Sequence, residues 1–289
     1  MLKQRIITAL ILAPAAILAI FYLPLMYFSS LLLVVVAIGA WEWSAFIGIK
    51  SQFKRYSYVA ITVALIATLW FFIPPTDLWL LLGGIQQYAL LLLWLSVAWW
   101  VLAALLMFSY PKSTAVWAKS PLVIAIFGWC TLVPTWLAFM VLRSHNHIID
   151  VFHGAQLLMF LFLLVWSADI GAYFVGKSFG KRKLMPNVSP GKTIEGFLGG
   201  VVCAALLTLT IGYYLHWSVE QLLSALMVAV IISTVSVLGD LTESMFKRQA
   251  GIKDSGKILP GHGGILDRID SLTATAPVFA LCYILLNWA

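Results

Sequence analysis

Long apolar runs alternate along the chain with short polar connections. A helix needs about 20 mostly apolar residues to cross roughly 30 Å of hydrocarbon. Nine runs of that kind stand at about 6–22, 24–47, 57–74, 88–109, 120–142, 155–176, 195–215, 220–239 and 272–288. The pattern predicts an all-α polytopic membrane protein with about nine transmembrane helices. The first run follows Lys3 and Arg5, as the core of a signal peptide does. It then continues apolar through Ile20-Phe21-Tyr22-Leu23, with no cleavage site leading into polar sequence, so it is read as a retained span. Two spans have soft edges, because the second contains Glu42 and Gly83-Gly84 is compatible with a longer fourth.

No separate soluble domain fits between these runs. The longest polar stretch, about 240–271, is too short to fold alone. Residues 1–289 are therefore read as one integral membrane domain, with helices of 1–154 as scaffold and 155–289 as the helices and loops carrying the site. There is no internal repeat of the kind that builds inverted-repeat transporters.

Composition agrees with the pattern. Hydrophobic residues make up 62% of the chain and charged residues 10%, against about a quarter charged in soluble domains. This excludes a soluble enzyme, a disulfide scaffold and a disordered chain. Thirteen Trp suit aromatic belts at two interfaces. The three cysteines, Cys130, Cys203 and Cys282, lie in apolar runs without CxxC spacing and read as small core residues.

The net charge of +7 acquires meaning once it is sorted by side. With the N-terminus in the cytoplasm and the C-terminus in the periplasm, 17 of 18 basic residues fall in cytoplasmic segments and only Arg143 outside. That is the positive-inside bias, and it points to phosphate at the inner face rather than to nucleic acid. Four of the five histidines lie outside. His145, His147 and His153 match no firm metal-ligand spacing and read as a solvated loop.

Eight of the eleven acidic residues belong to the cytoplasmic half: Glu42, Asp169, Glu195, Asp240, Glu243, Asp254, Asp267 and Asp270. A charge at membrane depth costs at least about 2.5–3.5 kcal/mol, so Asp169 should face a partner or a polar cavity. Glu42, between Trp41 and Trp43, is open to the same reading or to simple snorkelling. Asp240 and Glu243 close the eighth span, and Asp267 and Asp270 open the ninth, each pair at i,i+3 spacing. Carboxylate pairs at neighbouring helix ends suit a hard cation such as Mg²⁺, which takes one or two carboxylates plus substrate phosphates. The helix dipole explains acids at the start of a helix but not at its end, which favours metal for Asp240 and Glu243.

Phosphate handling is suggested by what lies between the pairs. Lys247-Arg248, Lys253, Ser255 and Lys257 lead into Leu259-Pro260-Gly261-His262-Gly263-Gly264, a flexible turn directly before a helix N-terminus. The other cytoplasmic loop carries Lys177, Lys181, Lys183, Ser189, Lys192 and Thr193. Gly171-x4-Gly176-Lys177-Ser178 satisfies the P-loop pattern, but it lies at the end of a membrane helix rather than at a strand-to-helix turn, so a P-loop fold is rejected.

The stretch Ser244-x2-Lys247-Arg248-x4-Lys253-Asp254-Ser255-Gly256-x2-Leu259-Pro260-Gly261-His262-Gly263-Gly264-x2-Asp267-Arg268-x-Asp270-Ser271 resembles the signature of phosphatidate cytidylyltransferases, the CDP-diacylglycerol synthases. Ala172-Tyr173-Phe174, Ser189-Pro190-x-Lys192-Thr193 and the Lys3-x-Arg5 start are similar to the same family. The resemblance implies that CTP and phosphatidic acid give CDP-diacylglycerol and pyrophosphate. It also implies Mg²⁺, with room for a second cation, a bacterial inner-membrane location, a cytoplasm-facing site and a homodimer. Asp240 and Asp267 match the family's metal-binding aspartates, with Glu243 and Asp270 as further candidate ligands. Our reading places Asp240, Asp267, Lys247, Arg248 and Arg268 at the chemistry. It places Lys177, Lys181, Lys183, Ser189, Lys192, Thr193, Lys253, Ser255, Lys257, His262, Gly263 and Gly264 on the substrates. Two rivals are weaker. A CDP-alcohol phosphotransferase would carry paired DxxxD elements on one helix, which are absent. An anion transporter would spread its charges along a midplane path.

Overall fold

A computed structural model describes residues 2–80, 84–147 and 149–286, without the side chains of 2–7 and 9. Lys3, Arg5 and Gly83 thus contribute sequence expectations that fall outside the described side chains and residues. Among the described residues there are nine long helices: α1 (Leu2–Tyr22), α2 (Leu25–Phe46), α3 (Gln52–Phe72), α4 (Gln87–Phe108), α6 (Pro121–Ser144), α7 (His153–Phe179), α8 (Ile194–Tyr214), α9 (Val219–Gln249) and α10 (Leu266–Leu285). A single-turn helix, α5 (Thr114–Trp117), lies between α4 and α6. Among the described residues, eight helices are long and apolar enough to cross a membrane. The described apolar part of α1, Leu10–Tyr22, is shorter.

Helix α3 begins five residues and α10 six residues before the spans read from sequence, and the other boundaries agree to within four residues except at two places. The first is α9. Its start is sharply set by a capping box, in which Gln221 N donates to Ser218 Oγ at 3.2 Å and Ser218 N donates to Gln221 Oε1 at 2.9 Å. The helix then runs for 31 residues, about 46 Å at 1.5 Å per residue. Nothing between Gly239 and Gln249 breaks a helix, so the charged segment continues the apolar one. Asp240 and Glu243 therefore do not end a helix, and the dipole argument for them loses its premise. What survives is the shared face of an i,i+3 pair.

The second difference is a small antiparallel hairpin in the α7–α8 connection. Strands β1 (Lys183–Met185) and β2 (Ser189–Thr193) pair Lys183 with Thr193 and Met185 with Ser189. Met185-Pro186-Asn187-Val188 makes the turn, closed by Val188 N to Met185 O at 3.2 Å. Proline pre-sets the first central turn position and asparagine suits the second. Thr193 then caps α8 by accepting from Gly196 N at 3.1 Å.

Close helix contacts depend on small residues, the usual basis of packing in lipid. A Cβ on Gly200 would lie 2.6 Å from Ala168 O, and one on Gly171 would lie 2.7 Å from Gly199 O. Gly171 and Gly176, the glycines of the P-loop-like pattern, thus serve the α7–α8 contact inside a helix. The most buried helices, α6 and α10, form the centre of the bundle. Indole and phenol groups tie α2, α3 and α6 together: Trp43 Nε1 donates to Ile124 O at 2.9 Å and Tyr58 OH to Ala125 O at 3.0 Å.

The three outer histidines are not a solvated loop. His145 is 4% exposed, and its Nδ1 lies 3.0 Å from Tyr283 OH, which also sits 3.1 Å from His153 Nε2. His147 Nδ1 lies 3.3 Å from the buried Arg143 guanidinium. Burial first, and the charge of His153 second, push the His145 imidazole down to about 4. His147 is also lowered, by burial and then by Arg143.

Candidate active site

At one end of the bundle the hairpin, the charged end of α9 and the first turn of α10 converge. Gly239 allows this approach: a Cβ there would stand 2.6 Å from Asp270 O and 3.0 Å from Ala274 Cβ. With the two backbones so near, α9 and α10 bring their carboxylate pairs together, and Glu243 interacts electrostatically with Asp240, Asp267 and Asp270.

Two lysines bridge the acids. Lys192 Nζ from β2 lies 2.7 Å from Asp240 Oδ2. Lys247 Nζ lies 2.7 Å from Asp267 Oδ1. It also comes 3.4 Å from Glu243 Oε1, an ion-pair distance that lacks hydrogen-bond geometry. Both Glu243 oxygens are buried without a hydrogen-bond partner. Asp240 Oδ1 accepts only a long 3.3 Å bond from Ser244 Oγ, and Asp270 Oδ1 accepts from Ser271 N at 2.7 Å. Asp169 joins the group from α7, within the fields of Lys192, Asp240 and Arg268. Five carboxylates thus meet three cations, Lys192, Lys247 and Arg268.

Asp267 organises the glycine-rich turn. Its Oδ2 accepts from Ser255 N at 2.9 Å, Ser255 Oγ at 3.0 Å and Gly264 N at 2.8 Å. The turn closes on itself through Leu259 N to Gly263 O at 2.9 Å. Gly263 adopts φ +83, a conformation that disfavours any side chain, and a Cβ there would also approach Asp267 Oδ2 at 2.5 Å. The next two amides donate to Glu42 from α2: Ile265 N at 3.0 Å to Oε1 and Leu266 N at 2.8 Å to Oε2. The expected open anion cradle at this helix start is therefore already filled by two of the protein's own carboxylates.

A cavity of about 1120 Å³ opens on the cluster. Its far walls are apolar, with Leu12 and Ala16 of α1, Leu31 and Val35 of α2, and Phe162 of α7. Its near end is charged. Of the charged, hydroxyl and imidazole residues singled out from sequence, Asp169, Lys177, Lys192, Thr193, Asp240, Lys247, Asp254, His262, Asp267, Arg268 and Asp270 line it. Glu243 lies behind the wall in a small pocket shared with Trp43 and Trp100. Arg248 points elsewhere and donates to Val188 O at 3.2 Å, pinning the hairpin tip. Lys181, Lys183, Lys253 and Lys257 are exposed outside the cavity wall, and Ser255 is buried beneath the turn. Glu195 braces the hairpin base, accepting from Lys181 N at 3.0 Å and Arg182 N at 3.1 Å.

Sequence reasoning missed two things here. Glu42 is 1% exposed and does not snorkel. Much of the apolar wall of the cavity comes from α1 and α2, helices assigned to scaffold. Glu42's presence in an apolar span was the available signal, but no local pattern shows which distant amides it meets.

The family model described as "Cytidylyltransferase family" matches residues 3–286. The chain is 43% identical over 290 residues to a phosphatidate cytidylyltransferase of Haemophilus influenzae, covering 98% of this chain and 99% of the relative. It is 45% identical over 288 residues to one of Pseudomonas aeruginosa, covering 100% and 99%. One of Staphylococcus epidermidis is 48% identical over 133 residues, covering 45% of this chain and 50% of that protein.

Proposed function

The chain belongs to the cytidylyltransferase family, and we propose that it condenses CTP with phosphatidic acid to give CDP-diacylglycerol and pyrophosphate. The observation that carries this reading is the two-natured cavity. It is apolar between α1, α2 and α7 and charged at the end formed by β2, α9 and α10. A diacyl lipid with a phosphate head fits such a space, while a nucleotide triphosphate reaches the charged end from water.

The nucleophile is the phosphomonoester oxygen of the lipid, already anionic at neutral pH. It attacks the α-phosphorus of CTP, and the bond to the β-phosphate oxygen breaks in line. No general base is needed, so catalysis reduces to positioning and charge stabilisation. Lys192, Lys247 and Arg268 hold the phosphates at the reacting centre and stabilise the departing pyrophosphate. Lys177 and His262 bind phosphate at the cavity wall, and Thr193 fixes the start of α8 beside Lys192. Lys181, Lys183, Lys253 and Lys257 draw CTP toward the mouth. Ser189, Ser255, Gly263 and Gly264 shape the two loops, and Arg248 acts through the hairpin it pins.

Mg²⁺ suits the residues present. Glu243 offers two buried carboxylate oxygens without hydrogen-bond partners, and Asp240, Asp267 and Asp270 add hard oxygen donors on the cavity wall. Among the described residues no three His, Cys, Asp or Glu side chains are gathered as a preformed metal site; on this reading substrate phosphates would complete the cation's ligands, and a second cation belongs to the same proposal. Such a cation supplies charge neutralisation between two anionic reactants.

The same reading places the N-terminus in the cytoplasm, the C-terminus in the periplasm and the site at the cytoplasmic face of a bacterial inner membrane. The positive-inside count and the bacterial relatives support it. It takes 1–289 as one membrane domain whose residues 155–289 carry most of the site, working as a homodimer. The test is incubation of purified protein with labelled CTP, phosphatidic acid and Mg²⁺. Labelled CDP-lipid with equimolar pyrophosphate is expected. No lipid product would overturn the reading in favour of an anion transporter.

A further inference from the structure

Helix α10 begins without a cap of its own. Its N-cap position is Ile265, which has no side chain to accept from the first-turn amides. The acceptor comes from 223 and 224 residues upstream, where Glu42 takes the amides of Ile265 and Leu266. A carboxylate at a helix N-terminus is favoured by the helix dipole, and two amide donors offset the cost of burying it. Among the described side chains, no lysine or arginine lies within ion-pair distance of it.

This contact is more than a cap. Ser255 Oγ lies 3.1 Å from Glu42 Oε2 and 3.0 Å from Asp267 Oδ2. A hydroxyl has one hydrogen to donate, so two carboxylates share it. Through Ser255, Glu42 touches the residue that organises the glycine-rich turn and faces Lys247. The surroundings are cut to admit it. A Cβ on Gly264 would stand 2.5 Å from both Glu42 oxygens, and a Cβ on Gly256 would collide with the same carboxylate. The neighbour Trp43 anchors this part of α2 to α6, and Gly39 lets α2 lie close to Leu266.

We propose that Glu42 is a positioning residue for the transfer reaction: from the N-terminal scaffold it holds α10's first turn and Ser255 so that Asp267 faces the cavity in one orientation. This rests on the cytidylyl-transfer reading and deepens it. Two of the motif's glycines, Gly256 and Gly264, gain a reason beyond turn flexibility, since they make room for a carboxylate from another helix.

The deciding variant is Glu42→Gln. Its amide keeps the size but accepts at one oxygen only, and its NH₂ group confronts the second backbone N–H. A displacement of about 1 Å at a reacting centre costs on the order of 100-fold in rate. The expected result is a kcat lower by about 10- to 100-fold, with the KM for CTP and for phosphatidic acid within about threefold of wild type. Ser255→Ala should give the same split, and the double variant should be no slower than the slower single variant within about twofold, because both act on one linkage. A wild-type kcat in folded Glu42→Gln, or multiplicative losses in the double variant, overturns the proposal. If Glu42→Gln does not fold, Ser255→Ala decides: the kcat-specific loss sustains the proposal and a wild-type kcat ends it. Wild-type protein that makes no CDP-lipid indicts the function itself. Active wild type with an unaffected Glu42→Gln indicts only the positioning role.

Discussion

Charged groups are buried at both ends of α10, and the two ends treat them in opposite ways. Near Tyr283, Arg143 is 1% exposed and spends its donors on backbone carbonyls: Ile20 O at 2.8 Å, Val151 O at 3.2 Å and Leu23 O at 3.3 Å, with His147 beside it. Near Asp267, some 24 Å away along the helix, carboxylates outnumber the cations that meet them, and Glu243 has no hydrogen-bond partner at either oxygen. One end is a closed account of donors and acceptors. The other is incomplete and opens on a cavity. A charge in an apolar span is therefore not in itself a sign of chemistry. The sign is buried charge left unsatisfied next to space that a ligand can fill.

The sharpest way to break this comparison is Asp267→Asn. The amide turns one oxygen into a donor that must face either Lys247 or the Ser255 and Gly264 amides. Pyrophosphate release from CTP should fall by at least about 10³-fold, the scale for losing a charge-stabilising group, while the protein still inserts and shows a thermal transition. Near-normal turnover would remove Asp267 from the chemistry. At the other end, Arg143→Leu should do the reverse. It strands three carbonyls, each costing about 1–3 kcal/mol, so the thermal midpoint drops while turnover per folded molecule holds. A turnover defect at unchanged stability would erase the distinction between the ends.

A smaller contrast lies within the charged end. Lys192 lines the cavity and pairs with Asp240, whereas Lys257 is exposed outside the wall. Lys192→Ala should lower kcat/KM by about 100-fold, as for a lost transition-state donor. Lys257→Ala should raise the KM for CTP by only about two- to fivefold, because exposed charges act weakly through screened steering. Steady-state kinetics on both variants checks this. Equal losses would move the boundary of the site outward to the exposed lysines.

The two ends also differ in how far they were legible. The spans show in the sequence because the bilayer dictates both length and apolarity. The motif from Ser244 to Ser271 shows because its charges and glycines lie within one polar stretch. The extension of α9 does not, because hydropathy falls at Asp240 while nothing there disfavours helix. The hairpin escapes a search for apolar runs because its strands are short and polar. Glu42 escapes for a different reason: its partners are defined by tertiary approach, and no periodicity in α2 encodes the amides of Ile265 and Leu266. The outer histidines looked solvated because His, Asn and Asp are common in loops, yet Tyr283 meets His145 and His153 and Arg143 meets His147.

That outer cluster supplies the mildest test, and its direction follows from the His145 imidazole. Burial and the neighbouring His153 hold it near 4 in the folded protein, against about 6.5 when unfolded. The folded state therefore prefers the neutral ring. Its contribution is fully present above pH 6.5 and is lost as pH falls from 6.5 toward 4, because the unfolded chain takes up the proton first. His147, lowered by burial and by Arg143, acts in the same direction. Thermal midpoints measured across that window should fall with acid, and His145→Gln should flatten the slope at the acid side. The glutamine amide can still meet Tyr283 without titrating. At neutral pH the same variant should turn over substrate at the wild-type rate, because the ring it replaces lies at the far end of α10 from Asp267. A variant that kept the full acid slope would assign it to other groups, and one that lost activity at neutral pH would couple the two ends.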